Sequence, residues 1–120
     1  MGMPAGVRET AGVAIVDLSA VAKDGRITLG ESSNSLRDNV GWLLEAGATN
    51  LLLNMKDVDY IDSSGLGELG AARTYAISKR GVIKLLNVQP KIRQLMELTR
   101  MDSVFEMYDD EPNALGSFYS

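Results

Sequence analysis

The chain has 120 residues, enough for one compact domain but not for two ordinary ones, and its 45% apolar and 23% charged residues are those of an average globular domain. Its apolar runs are far too short to cross a bilayer, and no basic segment leads into an apolar stretch at the N-terminus, so neither a membrane span nor a signal peptide is expected and the cytoplasm is the default address. Twelve Lys and Arg, scattered singly against 16 Asp and Glu, give a net charge of -4 without the basic footprint of a nucleic-acid binder, while the lack of cysteine and histidine removes disulfides, thiolate chemistry, the commonest general base and the commonest metal ligand.

Serine–histidine hydrolysis and most zinc or copper chemistry therefore lack their parts, so an ordinary hydrolase is not expected, and the sequence calls for no metal or other cofactor. Residues 1–10 read as a flexible N-terminal segment before a single domain at 11–120.

From Gly12 to Ser19 the alternating β-branched residues predict a strand, followed by a turn at Lys23-Asp24-Gly25. A second strand is expected from Arg26 to Leu29, with Ser32 and Ser33 offering caps for a helix. In that helix Leu36, Val40, Leu43 and Leu44 share one face, Trp42 reads as a packing or partly exposed residue, and Gly47 closes the helix. Leu51-Leu52-Leu53 is the unbroken apolar run of a strand covered on both faces. After a polar interlude from Asp57 to Tyr60, a second helix begins in the segment Asp62-Ser63-Ser64-Gly65-Leu66-Gly67. Leu66, Leu69, Arg73 and Ala76 mark one side of it, and Gly81 supplies a left-handed stop.

Val82 to Val88 predicts another strand. Pro90 opens a third helix carrying Ile92, Leu95, Met96 and Thr99, with Met96, Met101 and Met107 as core or gap-filling residues. Val104 to Tyr108 fits a last short strand, and Asp109-Asp110-Glu111-Pro112 the solvated acidic start of a helix reaching Phe118. Strands alternating with helices give an α/β class: a mixed, partly parallel sheet of four to five strands packed with four to five helices.

The densest unusual stretch places an acid and two hydroxyls between a strand and a helix N-terminus. Unpaired N–H groups and a partial positive charge there suit a capping side chain or an added phosphate. A purely structural reading stands beside the functional one, with Asp62, Ser63 or Ser64 as the cap and Gly65 and Gly67 as close-packing residues. Gly65-Leu66-Gly67 also looks like a fragment of a phosphate-binding loop, but it lacks the lysine and the longer glycine spacing.

From Val13 to Phe118 the chain resembles a STAS domain, the family shared by bacterial anti-sigma factor antagonists and the cytoplasmic parts of sulphate transporters. The resemblance rests on Gly25-Arg26-Ile27, Leu51-Leu52-Leu53-Asn54, Val58-Asp59-Tyr60-Ile61-Asp62-Ser63-Ser64-Gly65-Leu66-Gly67 and Val82 to Asn87, in the family's order. It implies regulation of transcription by partner switching. Ser63 would be the residue phosphorylated by a serine kinase that doubles as anti-sigma factor, and a serine/threonine phosphatase would reset it. Asp62, Ser63, Ser64, Gly65 and Leu66 would shape the kinase-docking surface. Thr28 stands where many antagonists carry an acid that contacts the kinase, and Ala20 to Asp24 form a small insertion against the usual pattern. The resemblance also admits a scaffold or accessory subunit of a stress-sensing or lipid-transport assembly, without a phospho-switch.

Overall fold

The computed structural model describes residues 6–18, 26–27 and 34–119. In chain order they form β1 (Val7–Thr10), β2 (Val13–Asp17), β3 (Arg26–Ile27), α1 (Asn34–Glu45), β4 (Asn50–Asn54), β5 (Tyr60–Ile61), α2 (Ser63–Ser78), β6 (Val82–Leu86), α3 (Pro90–Leu98), a 3-10 turn (Met101–Ser103), β7 (Met107–Tyr108) and α4 (Glu111–Ser117). The main sheet has the order β1-β2-β4-β6-β7, with β1 antiparallel to β2 and the other pairs parallel. This is the mixed α/β sheet with helices that the sequence predicts. The turn at Lys23-Asp24-Gly25, the insertion Ala20 to Asp24, Thr28, Leu29 and the caps Ser32 and Ser33 lie outside the described residues.

Alternation along the strands divides the core in two. Ala14, Val16, Leu51, Leu53, Ile83 and Leu85 lie in one cluster with Leu36, Val40, Leu66, Leu69, Ile92 and Met96 of α1, α2 and α3. Val13, Ile15, Leu52 and Leu86 pack on the other face against Ala114, Leu115 and Phe118 around α4. Buried Lys84 faces the same way: its Nζ donates to the Ser117 carbonyl (3.1 Å) and Oγ (3.0 Å) and lies 4.7 Å from the Phe118 ring centroid. A lysine stem can cover apolar surface while its ammonium ties down a helix end.

Three details go beyond the sequence reading. Val7–Thr10, within the N-terminal segment, is strand β1, held by backbone pairing to Val13–Val16 across a two-residue turn. In that turn Ala11 (φ 54°) and Gly12 (φ 77°) both have positive φ, the geometry whose twist suits a hairpin. Second, the interlude before α2 is not wholly irregular, because Tyr60–Ile61 pairs with Arg26–Ile27 in a separate parallel ladder. Third, the left-handed stop of α2 is Arg80 (φ 62°), not Gly81. The Arg80 N–H donates to the Ile77 carbonyl (3.0 Å) and the Gly81 N–H to Ala76 (2.7 Å), which places the glycine one position past the αL residue. Gly47 (φ 100°) does close α1 as expected, with Gly47 donating to Leu44 and Ala48 to Leu43.

Candidate functional site

Val58 and Ile61 are buried on either side of Asp59 and Tyr60, which stay exposed. The approach to α2 is thus anchored at Val58 and Ile61, with the two residues between them facing outward. At Asp62 the backbone is extended (φ -99°, ψ -178°), and the carboxylate Oδ1 accepts the Gly65 N–H at 2.8 Å. The sequence left open which residue caps the helix; Asp62 is the cap, a role that contributes about 1 kcal/mol.

Ser63 and Ser64 fall in the first turn and are exposed. Gly65 is buried and Leu66 lies in the core, so these two set the height and angle of the turn from below. The close-packing reading fails for Gly67. It is exposed, one turn beyond Ser63, and a Cβ placed there would meet nothing within 4 Å. A glycine inside a helix costs roughly 1 kcal/mol relative to alanine, and packing within the described chain does not account for that cost. The outer surface around Ser63 is consequently low and open, with the Asp59 and Asp62 carboxylates close by in sequence. Thr28 cannot be placed against it, lying outside the described residues.

Residues 9–114 match the family model of the STAS domain. The chain belongs to the STAS domain family. Over 66 residues it is 29% identical to an anti-sigma F factor antagonist of Paenibacillus polymyxa, a match covering 55% of this chain and 56% of that protein, so the alignment spans a little over half of that relative's length. Among solved structures, an anti-sigma factor antagonist from Mycobacterium paratuberculosis superposes with a TM-score of 0.75 at 21% identity, covering 95% of this chain and 92% of that one. The Bacillus cell fate determinant SpoIIAA in its phosphorylated form gives a TM-score of 0.67 at 18% identity, over 93% and 96% of the two chains. At such identities the two structures bear on the STAS fold alone.

Elsewhere in this STAS domain, half-buried Trp42 packs against the core and, with Gly41, Ala71 and Tyr75, lines a groove of about 520 Å³ between α1 and α2. Met96 is buried, and Met101 and Met107 pack partly buried against the core. Asp110 caps α4 by accepting the Asn113 N–H (2.9 Å), and Asp109 pairs with Arg93. The acidic run is thus occupied as a helix start. Sequence reading missed the outer face of α3: Leu98 is 78% exposed and faces a groove beside Tyr60. Its signal was available, since Leu98 falls off the face shared by Ile92 and Met96.

Proposed function

We propose that the chain is an anti-sigma factor antagonist of the partner-switching type, without catalysis of its own. With Ser63 unmodified it docks on a serine kinase that doubles as anti-sigma factor and frees the sigma factor; phosphorylation of Ser63 by that kinase releases the complex, and a serine/threonine phosphatase resets it. The observation that carries this reading is the division of labour at the start of α2. Asp62 supplies the cap, which leaves Ser63 exposed in the first turn.

A phosphate on Ser63 would sit at the positive end of the helix, so the fold tolerates it. In a close-fitting interface the added charge of about -1.5 to -2, near Asp59 and Asp62, brings repulsion and desolvation. A loss of about 3 kcal/mol exceeds a hundredfold in affinity, enough to exchange one partner for another. The open surface around Gly67 supports close approach of a partner, and the name of the Paenibacillus polymyxa relative agrees with the role.

Incubation with ATP and the serine kinase of the same organism, followed by peptide mass spectrometry, is expected to find one phosphate, on Ser63. Ser63→Asp is expected to weaken kinase binding at least tenfold with little change in thermal midpoint. A chain that stays unmodified, and binds equally well as Ser63→Asp, has no phospho-switch.

A further inference from the structure

Helix α3 carries more apolar surface than the core consumes. Ile92 and Met96 are buried, yet Leu95 is only half-buried and Leu98 is 78% exposed. Leu95 and Leu98 form one wall of a groove of about 330 Å³, and Tyr60, itself 43% exposed, and Ile61 form the other. Asp59 and Lys91 also line it, so its apolar floor has a charge of each sign beside it. Exposed apolar patches with polar borders mark interaction surfaces.

We infer that this groove is the apolar anchor of the interface read through Ser63, receiving a large aliphatic or aromatic side chain of the same kinase partner, with an acidic neighbour placed to meet Lys91. The inference rests on the docking reading given above, and its support is continuity. Ser63 follows Tyr60 by three residues, so consecutive Cα atoms spaced at about 3.8 Å bound their separation at about 11 Å. A standard interface covers about 800 Å² on each partner, a disc of roughly 16 Å radius. An interface of that radius centred on Ser63 extends past Tyr60, which is exposed as Ser63 is. Desolvated apolar pockets near the middle of an interface hold most of its binding energy, and charge at their margin sets specificity and rate. The two features then divide the work: the groove supplies affinity and Ser63 gates it.

The test is the dissociation constant of the full chain for the serine kinase, by calorimetry, for wild type, Leu98→Glu, Leu98→Ala, Ser63→Asp and the control Ile77→Glu. Ile77 is also exposed, at 54%, but lies near the far end of α2. Leu98→Glu is expected to weaken binding tenfold or more and Leu98→Ala three- to tenfold, with thermal midpoints kept and Ile77→Glu without effect. Unchanged affinity for both Leu98 variants, alongside weakened binding by Ser63→Asp, overturns the groove while keeping the switch. Equal weakening by Ile77→Glu also overturns it, because the effect is then not local. If sedimentation shows Leu98→Glu separating a dimer while kinase affinity holds, the groove belongs to a second copy and the inference fails. No binding by wild type, or indifference to every substitution, defeats the docking reading itself.

Discussion

Gly67 sits one turn beyond Ser63 with open space where a side chain would be, and the backbone around it is ordinary helix. Alanine there fills no occupied volume and removes the conformational freedom that glycine retains when unfolded. Gly67→Ala is therefore expected to raise stability by about 0.5–1 kcal/mol in urea denaturation. If a partner packs closely on this turn, the same substitution weakens kinase binding. A variant that is more stable and binds as well as wild type removes Gly67 from the interface. Ser63 differs in kind: the cap bond belongs to Asp62, so truncating Ser63 to alanine removes no cap. Ser63 thus affects partners more than stability.

At the scale of elements, α1 and α2 end by the same hydrogen-bond pattern with different residues at the left-handed position. Gly47 fills it in α1, whereas Arg80 fills it in α2 and bears the strain of a side chain at φ 62°. Arg80→Gly is expected to stabilise the chain by about 0.5–1 kcal/mol, the relief of αL strain offset partly by the greater freedom of glycine in the unfolded chain. Gly81→Ala should do the opposite. A Cβ at Gly81 would lie 3.0 Å from Leu44 Cδ2 and 3.3 Å from the carbonyl oxygens of Ala76 and Thr49. Such crowding between α2, α1 and the approach to β4 is expected to cost about 1–3 kcal/mol. Thermal melts of the two variants, moving in opposite directions, check the assignment. Equal shifts of one sign would mean that the stop of α2 is misplaced.

Across the whole molecule, one polar chain ties the hairpin to the central strands and to α4. Arg8 donates to Asp17 at 2.8 and 3.2 Å and to Glu111 at 3.1 Å; Asn54 donates to Asp17 at 2.7 Å, and Asn87 to Asn54 at 3.2 Å. The Arg8 hydrogen bonds hold the Asp17 carboxyl below its usual range. Glu106 is likewise lowered, first by the Tyr108 hydroxyl and then by Lys84. Groups depressed in the folded state bind protons less readily there than in the unfolded chain. Their stabilisation is full above the ordinary carboxylate range of about 4 and is lost as pH falls through and below it. The urea midpoint is therefore expected to drop between pH 6 and pH 3. Asp17→Asn should flatten that drop, costing about 1 kcal/mol or less at pH 6, since the pair is part-exposed, and progressively less as the pH falls. A pH profile identical to wild type would show that Asp17 carries none of the acid sensitivity.

Periodicity in the sequence determined the central architecture, because strands buried on both faces and helices with one apolar stripe leave repeating marks in residues such as Leu51-Leu52-Leu53 and Leu36, Val40, Leu43 and Leu44. It also located the start of α2, where acid, hydroxyls and glycines crowd together. Only the tertiary structure decided how that crowd divides: Asp62 as cap, Leu66 in the core, Ser63 and Gly67 facing outward. Strand β1 was illegible because Val7-Arg8-Glu9-Thr10 carries no apolar alternation and is held by backbone pairing across a turn that puts Ala11, not Asn or Gly, at positive φ. β5 was illegible because two residues show no period. The helical period sets Leu98 off the face of Ile92 and Met96, but that it stays uncovered beside Tyr60 depends on what packs next to the helix, which the period does not record.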